Sequence, residues 1–432
     1  MPPEAQSIVR SMYKPEKSAV GTGGSLVADR CQITGSSSLK SILFLGYLPP
    51  VNTMPPIGQA LTEQPAYPAE LLWCEESKLA QLGLVVDPNI LFPPSYPYTS
   101  GTTRILRENF AQLAVEVEEL YPLAEKDLVV DIGSNDGTLL SNFNRNGVRV
   151  FGIEPTQAGK LAVEKGIPTL TSFFNSDAVD KTLAEHGPAR LVTAANVFAH
   201  IEDVNGVMER ITQLLREDGL FISESHYFIS LLETLQYDTI YHEHLRYYTL
   251  ASLRTLLEQH GLEIIHARKI PTHGGSIRVY SAQKGRYPVR PSVAELLGAE
   301  KPHLTPEAFT AFKKRVVLSK LGLLSLLKDL RARDAHIYGI GAPSRASTLI
   351  NYVGLDDGII DAVLEISGSY KIGKYIPGTR IPVLDEKILF EDQPDYALLF
   401  SWHIAEELIP KIRARGYRGR FIVPLPEPRI IE

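Results

Sequence analysis

The chain has 432 residues, of which 44% are hydrophobic and 22% charged, so its composition is that of a folded protein with about two or three domains. The 44 Lys and Arg residues against 50 Asp and Glu residues give a net charge of -6, which argues against partners such as nucleic acid or anionic membrane. Cys31 and Cys74 are too few for a disulfide framework, and neither a signal peptide nor an apolar run of roughly 18 residues is present. We therefore expect a cytoplasmic protein.

Composition and hydrophobic periodicity divide the chain into successive regions. Short apolar pieces broken by prolines fill residues 29–103, which predicts a small module of turns and short strands. Alternating helical and strand patterns follow, beginning with a helix at 104–121 and a strand at 128–132, which predicts a parallel sheet with helices on both faces. Thr305 and Pro306 begin a long helix as N-cap and first helical residue. The predicted regions are a flexible tail (1–28), the N-terminal module (29–103), a central α/β domain (104–290), a linker helix (291–335) and a second, smaller α/β domain (336–432).

A glycine-containing turn at residues 133–137, the first glycine-rich turn, follows the strand at 128–132, and residues 138–140 after the turn are predicted to begin a helix. Asp131, at the end of that strand, would repel a pyrophosphate but suits the cationic aminoacyl group of S-adenosylmethionine. Glu154 ends the next strand, where a carboxylate can accept both hydroxyls of an adenosine ribose. A Rossmann-like domain for another nucleotide, or a plain α/β turn, is the alternative. The residues predicted to bind the cofactor are Asp131, Gly133, Ser134, Asn135, Asp136, Gly137, Glu154 and Asn196.

Several segments in this order resemble class I S-adenosylmethionine-dependent methyltransferases, and among them the sugar C-methyltransferases that act on nucleotide-linked ketosugars. The matching segments are residues 96–100, 130–140, 196–200, 241–244, 338–344 and 373–379. The resemblance implies an α/β fold with an N-terminal zinc-binding module, a central Rossmann-like methyltransferase domain and a C-terminal Rossmann-like domain. It also implies a substrate held between these domains.

The N-terminal module departs from the family pattern. Family members hold zinc with two Cys-x-x-Cys pairs, whereas this chain has Cys31 with Thr34 and Cys74 with Ser77. Hydroxyl groups are weak zinc ligands that must compete with water. We expect no structural zinc, and a module held instead by packing against the central domain.

The Tyr-His-Glu-His segment (residues 241–244) is the predicted catalytic segment. Methylating a carbon next to a ketone requires a base for the α-proton and a donor for the enolate oxygen. His244 is the predicted base, and Glu243 tunes the site or is itself the base. The alternative is a hydrogen-bonded structural turn. The predicted catalytic residues are His244, Glu243, Tyr241, Tyr98 (or its neighbour Tyr96) as a second donor, and His200 beside the cofactor.

A second glycine-rich turn (residues 339–344) follows a strand and leads into a helix, a geometry that can receive phosphate on backbone N–H groups. The third glycine of a dinucleotide fingerprint is Ser344, but Glu365 near the end of the next strand leaves NAD binding open. We prefer a contact with a sugar-nucleotide diphosphate over a purely structural lid. The residues predicted to bind substrate are Tyr96, Ser100, Ser344, Arg345 and Lys374.

The sequence therefore predicts an enzyme that transfers a methyl group from S-adenosylmethionine to a ring carbon of a nucleotide-linked 4-ketosugar in deoxysugar biosynthesis. Two alternatives stay open. One is an O- or N-methyltransferase of a sugar or small molecule, and the other is a non-catalytic nucleotide-sugar-binding protein.

Overall fold

The computed structural model describes residues 24–60, 62–92, 104–144 and 147–432. Tyr96, Tyr98 and Ser100, and residues 1–23 of the predicted tail, lie outside this part of the chain. Within it, no helix is long and apolar enough to cross a lipid bilayer.

The N-terminal module is built on antiparallel strands. Its elements are β1 (Leu26–Val27), β2 (Leu39–Leu48), β3 (Tyr67–Cys74), β4 (Leu79–Leu82), β5 (Leu84–Val85) and the short helix α1 (Pro88–Leu91). Strands β2, β3 and β4 form consecutive antiparallel pairs, and β1 pairs with β5.

The central domain alternates strands and helices, as predicted. Its elements are α2 (Arg104–Leu120), β6 (Leu128–Ile132), β7 (Arg149–Ile153), α3 (Ala158–Glu164), β8 (Thr169–Leu170), α4 (Ser176–His186), β9 (Ala189–Ala195), α5 (Val204–Leu214), β10 (Leu215–His226), α6 (Phe228–Thr234), β11 (Arg246–Tyr247), α7 (Leu250–Gln259), β12 (Leu262–Ile270) and β13 (Ser276–Gln283). Single 3₁₀ turns lie at Leu140–Asn142, Tyr237–Thr239 and Thr272–Gly274.

The central sheet has seven strands in the order β12-β13-β10-β9-β6-β7-β8. Strands β6 to β10 run parallel, and β13 and β12 complete the sheet by antiparallel pairing. Strand β6 lies between β7 and β9, so the strand order reverses at β6. Ligands of open α/β sheets bind beyond the carboxyl ends of the strands at such a reversal, which places a binding site above Asp131.

The predicted helix after the first glycine-rich turn is wrong. The chain there forms only the 3₁₀ turn Leu140–Asn142. The side chains of Ser141 and Asn142 donate to the carbonyl oxygen of Thr138 at 2.8 and 2.9 Å. Side-chain bonds of this kind compete with the backbone bonds of an α-helix.

Two helices, α8 (Pro291–Glu300) and α9 (Pro306–Arg331), occupy the region predicted as a linker helix. The hydroxyl of Thr305 accepts from the amide of Ala308 at 3.2 Å, so the predicted N-cap is confirmed. Buried Phe312, Val316, Leu323 and Leu327 form one apolar face of α9, which packs in a core shared by the N-terminal module and the C-terminal domain. Helix α9 therefore holds these two regions together.

The C-terminal domain has its own seven-stranded sheet, in the order β16-β17-β15-β14-β18-β19-β20. Its strand order reverses at β14, which lies between β15 and β18. The elements are β14 (Ile337–Ile340), α10 (Ser344–Val353), β15 (Ala362–Glu365), β16 (Lys374–Tyr375), β17 (Pro382–Asp385), α11 (Lys387–Asp392), β18 (Tyr396–Leu399), α12 (Ala405–Ala414), β19 (Arg420–Val423) and β20 (Arg429–Ile431).

The small N-terminal sheet gains a fourth strand from the central domain. Strand β11 pairs with β4, with Arg246 opposite Gln81 and Tyr247 opposite Ala80. The amide of Leu82 also donates to the carbonyl oxygen of Leu245 at 2.9 Å. The Tyr-His-Glu-His segment is therefore attached at its C-terminal end to the N-terminal module.

Candidate active site

The first glycine-rich turn brings the backbone close to the end of β9. Gly133 and Gly137 have φ angles of +67° and +74°, which strain any residue with a side chain. A Cβ atom on Gly133 would lie 2.6 Å from Cγ2 of Val197, so the turn has no room for a side chain there. The turn thus presents bare backbone at the sheet edge.

Glu154 lies beside this turn because β7 is the neighbour of β6. Its carboxylate accepts from the amide of Asn135 at 3.0 Å and from the amide of Thr156 at 2.8 Å. Each of these bonds uses a different carboxylate oxygen, so the orientation of the group is fixed. The structure therefore holds a buried, oriented carboxylate next to the glycine-rich backbone.

Beside the first glycine-rich turn, two buried polar atoms have no hydrogen-bond partner among the residues that the structure describes. They are Oγ of Ser134 and Oδ1 of Asn196. Asn196 has a φ angle of +60°, and its amide donates to the carbonyl oxygen of Glu224 at 2.8 Å. Since buried polar atoms are rarely left unpaired, these two oxygens mark a place where a polar ligand fits. Together with Asp131 and Glu154 they suit an adenosyl group that carries an aminoacyl chain.

Asp131 is nearly fully buried and accepts from the hydroxyl of Thr193 at 2.6 Å. Burial, opposed by the hydrogen bond from Thr193 and reinforced by the charges of Glu154 and Glu224, raises its pKa to about 7. Ionisation of Asp131 therefore lowers the stability of the folded protein unless a cation lies beside the carboxylate.

Asp136 has a structural partner in the same turn. Its carboxylate accepts from the hydroxyl of Thr138 at 2.6 Å and pairs with Lys165 at 2.9 Å. The carboxylate thus stabilises the turn that carries Ser134 and Asn135, and the cofactor contact predicted for Asp136 stays a prediction.

The Tyr-His-Glu-His segment is a turn and not a strand. The amide of His244 donates to the carbonyl oxygen of Tyr241 at 2.9 Å, and all four side chains are buried. Nε2 of His242 lies 3.3 Å from the carbonyl oxygen of Pro68, so this ring faces the N-terminal module. The segment therefore forms a hydrogen-bonded turn, in which Glu243 and His244 are adjacent buried residues.

His244 has a fixed tautomer. Its Nδ1 lies 3.0 Å from the carbonyl oxygen of Thr239, and a carbonyl only accepts, so Nδ1 carries the proton. Burial lowers its pKa well below the ordinary value, as do the nearby charges of His200, His273 and Arg345. His244 is therefore neutral near pH 7, with the lone pair on Nε2.

Aromatic rings surround His244. The Tyr241 ring centroid lies 4.2 Å from that of His244, and the His200 centroid lies at 5.0 Å. Nδ1 of His200 donates to the carbonyl oxygen of Glu243 at 2.7 Å, and burial lowers the pKa of His200 to about 4. His200, in the turn after β9, thus joins the Tyr-His-Glu-His segment to the edge of the sheet where the parallel strands end.

Three further residues reach this site without having been predicted. His226 ends β10, with its ring centroid 4.8 Å from that of His244, and the His273 centroid lies 5.2 Å from that of His226. Asn52 of the N-terminal module donates from Nδ2 to Oε1 of Glu243 at 2.6 Å. His226 could have been found, since it ends a parallel strand at the same sheet edge. Asn52 carries no comparable signal in the sequence.

Arg345 lies between two domains. Its guanidinium binds the Asp238 carboxylate through two bonds of 2.8 and 2.7 Å, and Trp402 donates to the same carboxylate at 2.7 Å. A bidentate pair of this kind is strong and directional. Arg345 thus forms an interdomain ion pair, and the diphosphate contact predicted for it stays a prediction.

The other predicted substrate residues differ in their surroundings. Ser344 is the first residue of α10, and Pro343 before it supplies no side-chain cap. Nζ of Lys374 lies 4.8 Å from the Tyr370 ring centroid. Tyr96, Tyr98 and Ser100 lie outside the described residues, so their predicted roles stay predictions.

The second glycine-rich turn repeats the arrangement of the first. The Glu365 carboxylate accepts from the amide of Ala342 at 2.8 Å, as Glu154 accepts from Asn135. The turn is thus oriented by a carboxylate from the neighbouring strand β15.

At the positions of the family's zinc ligands, the side chains and backbone of this protein contact one another. Sγ of Cys31 lies 3.1 Å from the hydroxyl of Ser77, and the amide of Thr34 donates to the same sulfur at 3.5 Å. Both cysteines are buried and free. Among the residues that the structure describes, no group of three or more His, Cys, Asp or Glu could hold a metal ion. A set of two thiols and two hydroxyls does not fit structural zinc.

Family models match three successive parts of the chain. A putative zinc binding domain matches residues 31–92, a methyltransferase domain matches residues 105–267, and a C-methyltransferase C-terminal domain matches residues 271–426. C-methyltransferase NovU of Streptomyces niveus is 33% identical over 409 residues, which cover 93% of this chain and 97% of that protein. The chain belongs to the S-adenosylmethionine-dependent C-methyltransferases. It is an enzyme with a class I methyltransferase fold, as the sequence predicted.

Other proteins match part of this C-methyltransferase. A ubiquinone biosynthesis O-methyltransferase of Colwellia psychrerythraea is 26% identical over 157 residues, which are 33% of this chain and 63% of that protein. The crystal structure of magnesium protoporphyrin IX methyltransferase from Synechocystis PCC 6803 is 16% identical in sequence, with a TM-score of 0.32. The match covers 41% of this chain and 79% of that methyltransferase chain.

Proposed function

We propose that this C-methyltransferase methylates a ring carbon next to the keto group of a nucleotide-linked 4-ketosugar. The observation that carries the proposal is the buried imidazole of His244, whose Nδ1–H is held by Thr239 so that Nε2 is available as a base. The ketosugar substrate is supported by the resemblance of the sequence to the sugar C-methyltransferases. A place in deoxysugar biosynthesis follows from that substrate.

The chemistry assigns a task to His244 and to Tyr241, and Glu243 is the adjacent carboxylate that tunes the site electrostatically. Nε2 of His244 takes the α-proton, and the electron pair of the broken C–H bond forms the enolate. Tyr241, whose ring lies against His244, donates its hydroxyl proton in a hydrogen bond to the enolate oxygen. The cofactor supplies an electrophilic methyl group on a sulfonium ion.

Buried surroundings favour this chemistry because they exclude water. Tyr241, Glu243 and His244 are each at most 9% exposed. Hydrogen bonds and charges act more strongly in such a site than in water. The negative charge of a diphosphate on the substrate would also favour the protonated form of His244 after the α-proton has been removed.

Residues at the carboxyl ends of β6, β7 and β9 would hold the cofactor. The carboxylate of Asp131 suits the ammonium group, and that of Glu154 suits the ribose hydroxyls. The unpaired oxygens of Ser134 and Asn196 suit the polar atoms of the adenosyl group. These assignments make the central domain the cofactor domain.

The C-terminal domain would hold the nucleotide of the substrate. The backbone N–H groups at the start of α10 point away from the helix and attract a phosphate. Lys374 lies on β16 of the same domain, and we keep it as the charge partner of the diphosphate. NAD binding is an alternative for this domain, supported by the position of Glu365 beside the second glycine-rich turn.

We also propose that the N-terminal module folds without zinc. The Cys31–Ser77 contact and the amide of Thr34 occupy the place where thiolate ligands would be needed. Pairing of β11 with β4, and the core shared with α9, would stabilise the module instead.

Calorimetry and product analysis test the function in sequence. Micromolar binding of S-adenosylmethionine and S-adenosylhomocysteine to the wild type, lost in an Asp131→Ala, Glu154→Ala variant, would support the cofactor site. Nucleotide-linked 4-ketosugars are then offered with the cofactor, and a new C-methyl signal in the NMR spectrum of the product supports the proposal. An O- or N-methyl product would overturn it, and methylation of none of the nucleotide-linked 4-ketosugars would count against this class of substrate.

A further inference from the structure

We propose that Asn52 is a positioning residue that orients the Glu243 carboxylate, so that the N-terminal module completes the active site. The inference rests on the proposed function in one respect, namely that Glu243 takes part in catalysis. It assigns a role to a loop that none of the predicted sites includes, residues 49–57, here called the 49–57 loop.

The contact itself joins parts of the chain far apart in sequence. Nδ2 of Asn52 donates to Oε1 of Glu243 at 2.6 Å across 191 residues. Glu243 is 3% exposed, so its carboxylate depends on protein groups rather than on bulk water for solvation. An amide donor at this distance favours the ionised carboxylate and fixes one of its oxygens.

The 49–57 loop has a defined shape. Pro49 and Pro50 restrict the backbone before Asn52, and the amide of Thr53 donates to the carbonyl oxygen of Pro50 at 3.2 Å. Val51 is 5% exposed and anchors the loop in the interior. Asn52 is therefore presented from a constrained turn, as a positioning group needs to be.

The C-terminal domain holds the far end of the same loop. The amide of Tyr375 donates to the carbonyl oxygen of Pro55 at 2.8 Å, and the amide of Ile57 donates to that of Gly373 at 2.9 Å. Just beyond the loop, Oε1 of Gln64 accepts from the amide of Gly378 at 3.1 Å. The loop is thus fixed to the domain that would bind the substrate nucleotide.

Glu243 also faces cationic and phenolic groups of the C-terminal domain. Burial lowers the pKa of Lys371, and the carboxylates of Glu365 and Glu243 oppose that shift. Burial, followed by the charges of Glu243 and Glu365, raises the pKa of Tyr370 to about 12. Glu243 therefore lies where the N-terminal loop, the central domain and the C-terminal domain meet, and Asn52 is the side chain that reaches it from the loop.

Substitutions at Asn52 separate positioning from mere packing. Asn52→Ala removes the donor to a buried charged group, for which we expect a roughly 10- to 100-fold fall in kcat. The affinity for S-adenosylmethionine, whose proposed contacts at the ends of β6, β7 and β9 do not include Asn52, should change less than 2-fold. Asn52→Asp places a second carboxylate beside that of Glu243. Because two adjacent carboxylates resist ionising together, the acid limb of the pH profile of kcat should move to higher pH.

Gln64→Ala is the matched control. It removes a bond between the same part of the N-terminal module and Gly378, but it does not touch Glu243. Its pH profile should match that of the wild type. Equal losses of kcat in Asn52→Ala and Gln64→Ala, or an unmoved acid limb in Asn52→Asp, would overturn the proposal.

A double-mutant cycle keeps this inference separate from the proposed function. Thermal unfolding of Asn52→Ala, Glu243→Gln and the double variant measures the coupling of the two side chains without any substrate. We expect Tm shifts that are not additive, because the two groups are in direct contact. Additive shifts would overturn the contact, whereas failure of the wild type to methylate any ketosugar would count against the proposed function alone.

Discussion

The Nδ1–H of His244 donates to the backbone carbonyl oxygen of Thr239 at 3.0 Å. The hydroxyl of Tyr247 donates to the same oxygen at 3.2 Å, so this carbonyl is held from two sides. A neutral imidazole with its Nδ1 proton fixed has only one place for an incoming proton, Nε2. The geometry of a turn thus sets the direction in which His244 can act as a base.

Asp131 links cofactor binding to pH. Because burial raises its pKa to about 7, the carboxylate that would attract the cofactor's ammonium group becomes protonated below that pH. The affinity for S-adenosylmethionine, measured by calorimetry, should therefore fall as the pH is lowered from 8 to 6. Asp131→Asn should bind the cofactor weakly throughout this range, and a wild-type affinity independent of pH would contradict the assignment.

Asp131→Asn should weaken cofactor binding but raise the stability of the cofactor-free protein. An acid whose pKa is raised on folding binds its proton more tightly in the folded state, so its contribution to stability is lost as the pH rises from about 4 to about 7. The cofactor-free Asp131→Asn variant should therefore exceed the wild type in Tm at pH 8. This difference should shrink toward pH 4, and a variant less stable than the wild type at pH 8 would count against a costly buried charge.

Gly133 tests the close approach of the first glycine-rich turn. Gly133→Ala combines a φ of +67° with a Cβ atom only 2.6 Å from Val197, so the turn must shift. Gly166→Ala is the control, since Gly166 has a φ of +81° but no atom within 4 Å of the added Cβ. Both variants should lose about 1 kcal/mol of stability through backbone strain. Only Gly133→Ala should weaken S-adenosylmethionine binding, and equal affinities in the two variants would contradict this prediction.

A buried ion network fixes helix α2 to the central sheet. Arg278 donates to Glu224 and to Glu116, each at 2.6 Å, and its side chain is fully buried. Arg278→Leu leaves the buried Glu224 carboxylate without its cation and removes one of the cations of Glu116, which should cost about 3–5 kcal/mol in denaturant unfolding. Arg268→Ala removes a 37% exposed partner of the same Glu116, and the expected cost is below about 1 kcal/mol. Similar losses of unfolding free energy in the two variants would show that the buried ion network is not the main interaction holding α2 on the sheet.

The sequence was sufficient to predict which edge of the central sheet carries the residues predicted to bind the cofactor. Strand 128–132 was predicted with its observed bounds, and the helix predicted at 104–121 is observed at Arg104–Leu120. Because parallel strands end at one edge, Asp131, Glu154 and Asn196 were expected together, and they lie together at that edge. Local hydrophobic pattern and strand direction are sufficient for this part.

The interdomain contacts could not be predicted in the same way. Asn52 meets Glu243 and Arg345 meets Asp238 only because regions distant in the chain dock against each other. No periodicity encodes such pairs, so the ion pair that Arg345 forms could not be predicted from the sequence. Strand β11 illustrates the same point, since a two-residue strand next to the Tyr-His-Glu-His segment pairs with the N-terminal module.

The zinc positions can be tested by restoring the family pattern. Thr34→Cys with Ser77→Cys supplies two more thiols beside Cys31 and Cys74, and structural zinc commonly takes four such ligands. The double variant should bind about one zinc per chain and gain Tm on zinc addition, whereas the wild type should do neither. Stoichiometric zinc in the purified wild type, with unfolding on chelation, would overturn the proposal of a metal-free module.

Solvent deuterium exchange into a nucleotide-linked 4-ketosugar, followed by NMR without S-adenosylmethionine, tests the enolate step directly. We predict that the wild type exchanges the hydrogen on the ring carbon that is methylated in the complete reaction. His244→Asn, which keeps a buried polar side chain but removes the base, should slow this exchange by about 100-fold or more. Wild-type methylation of that carbon with no exchange at any pH, or unchanged exchange in His244→Asn, would contradict His244 as the base that forms the enolate.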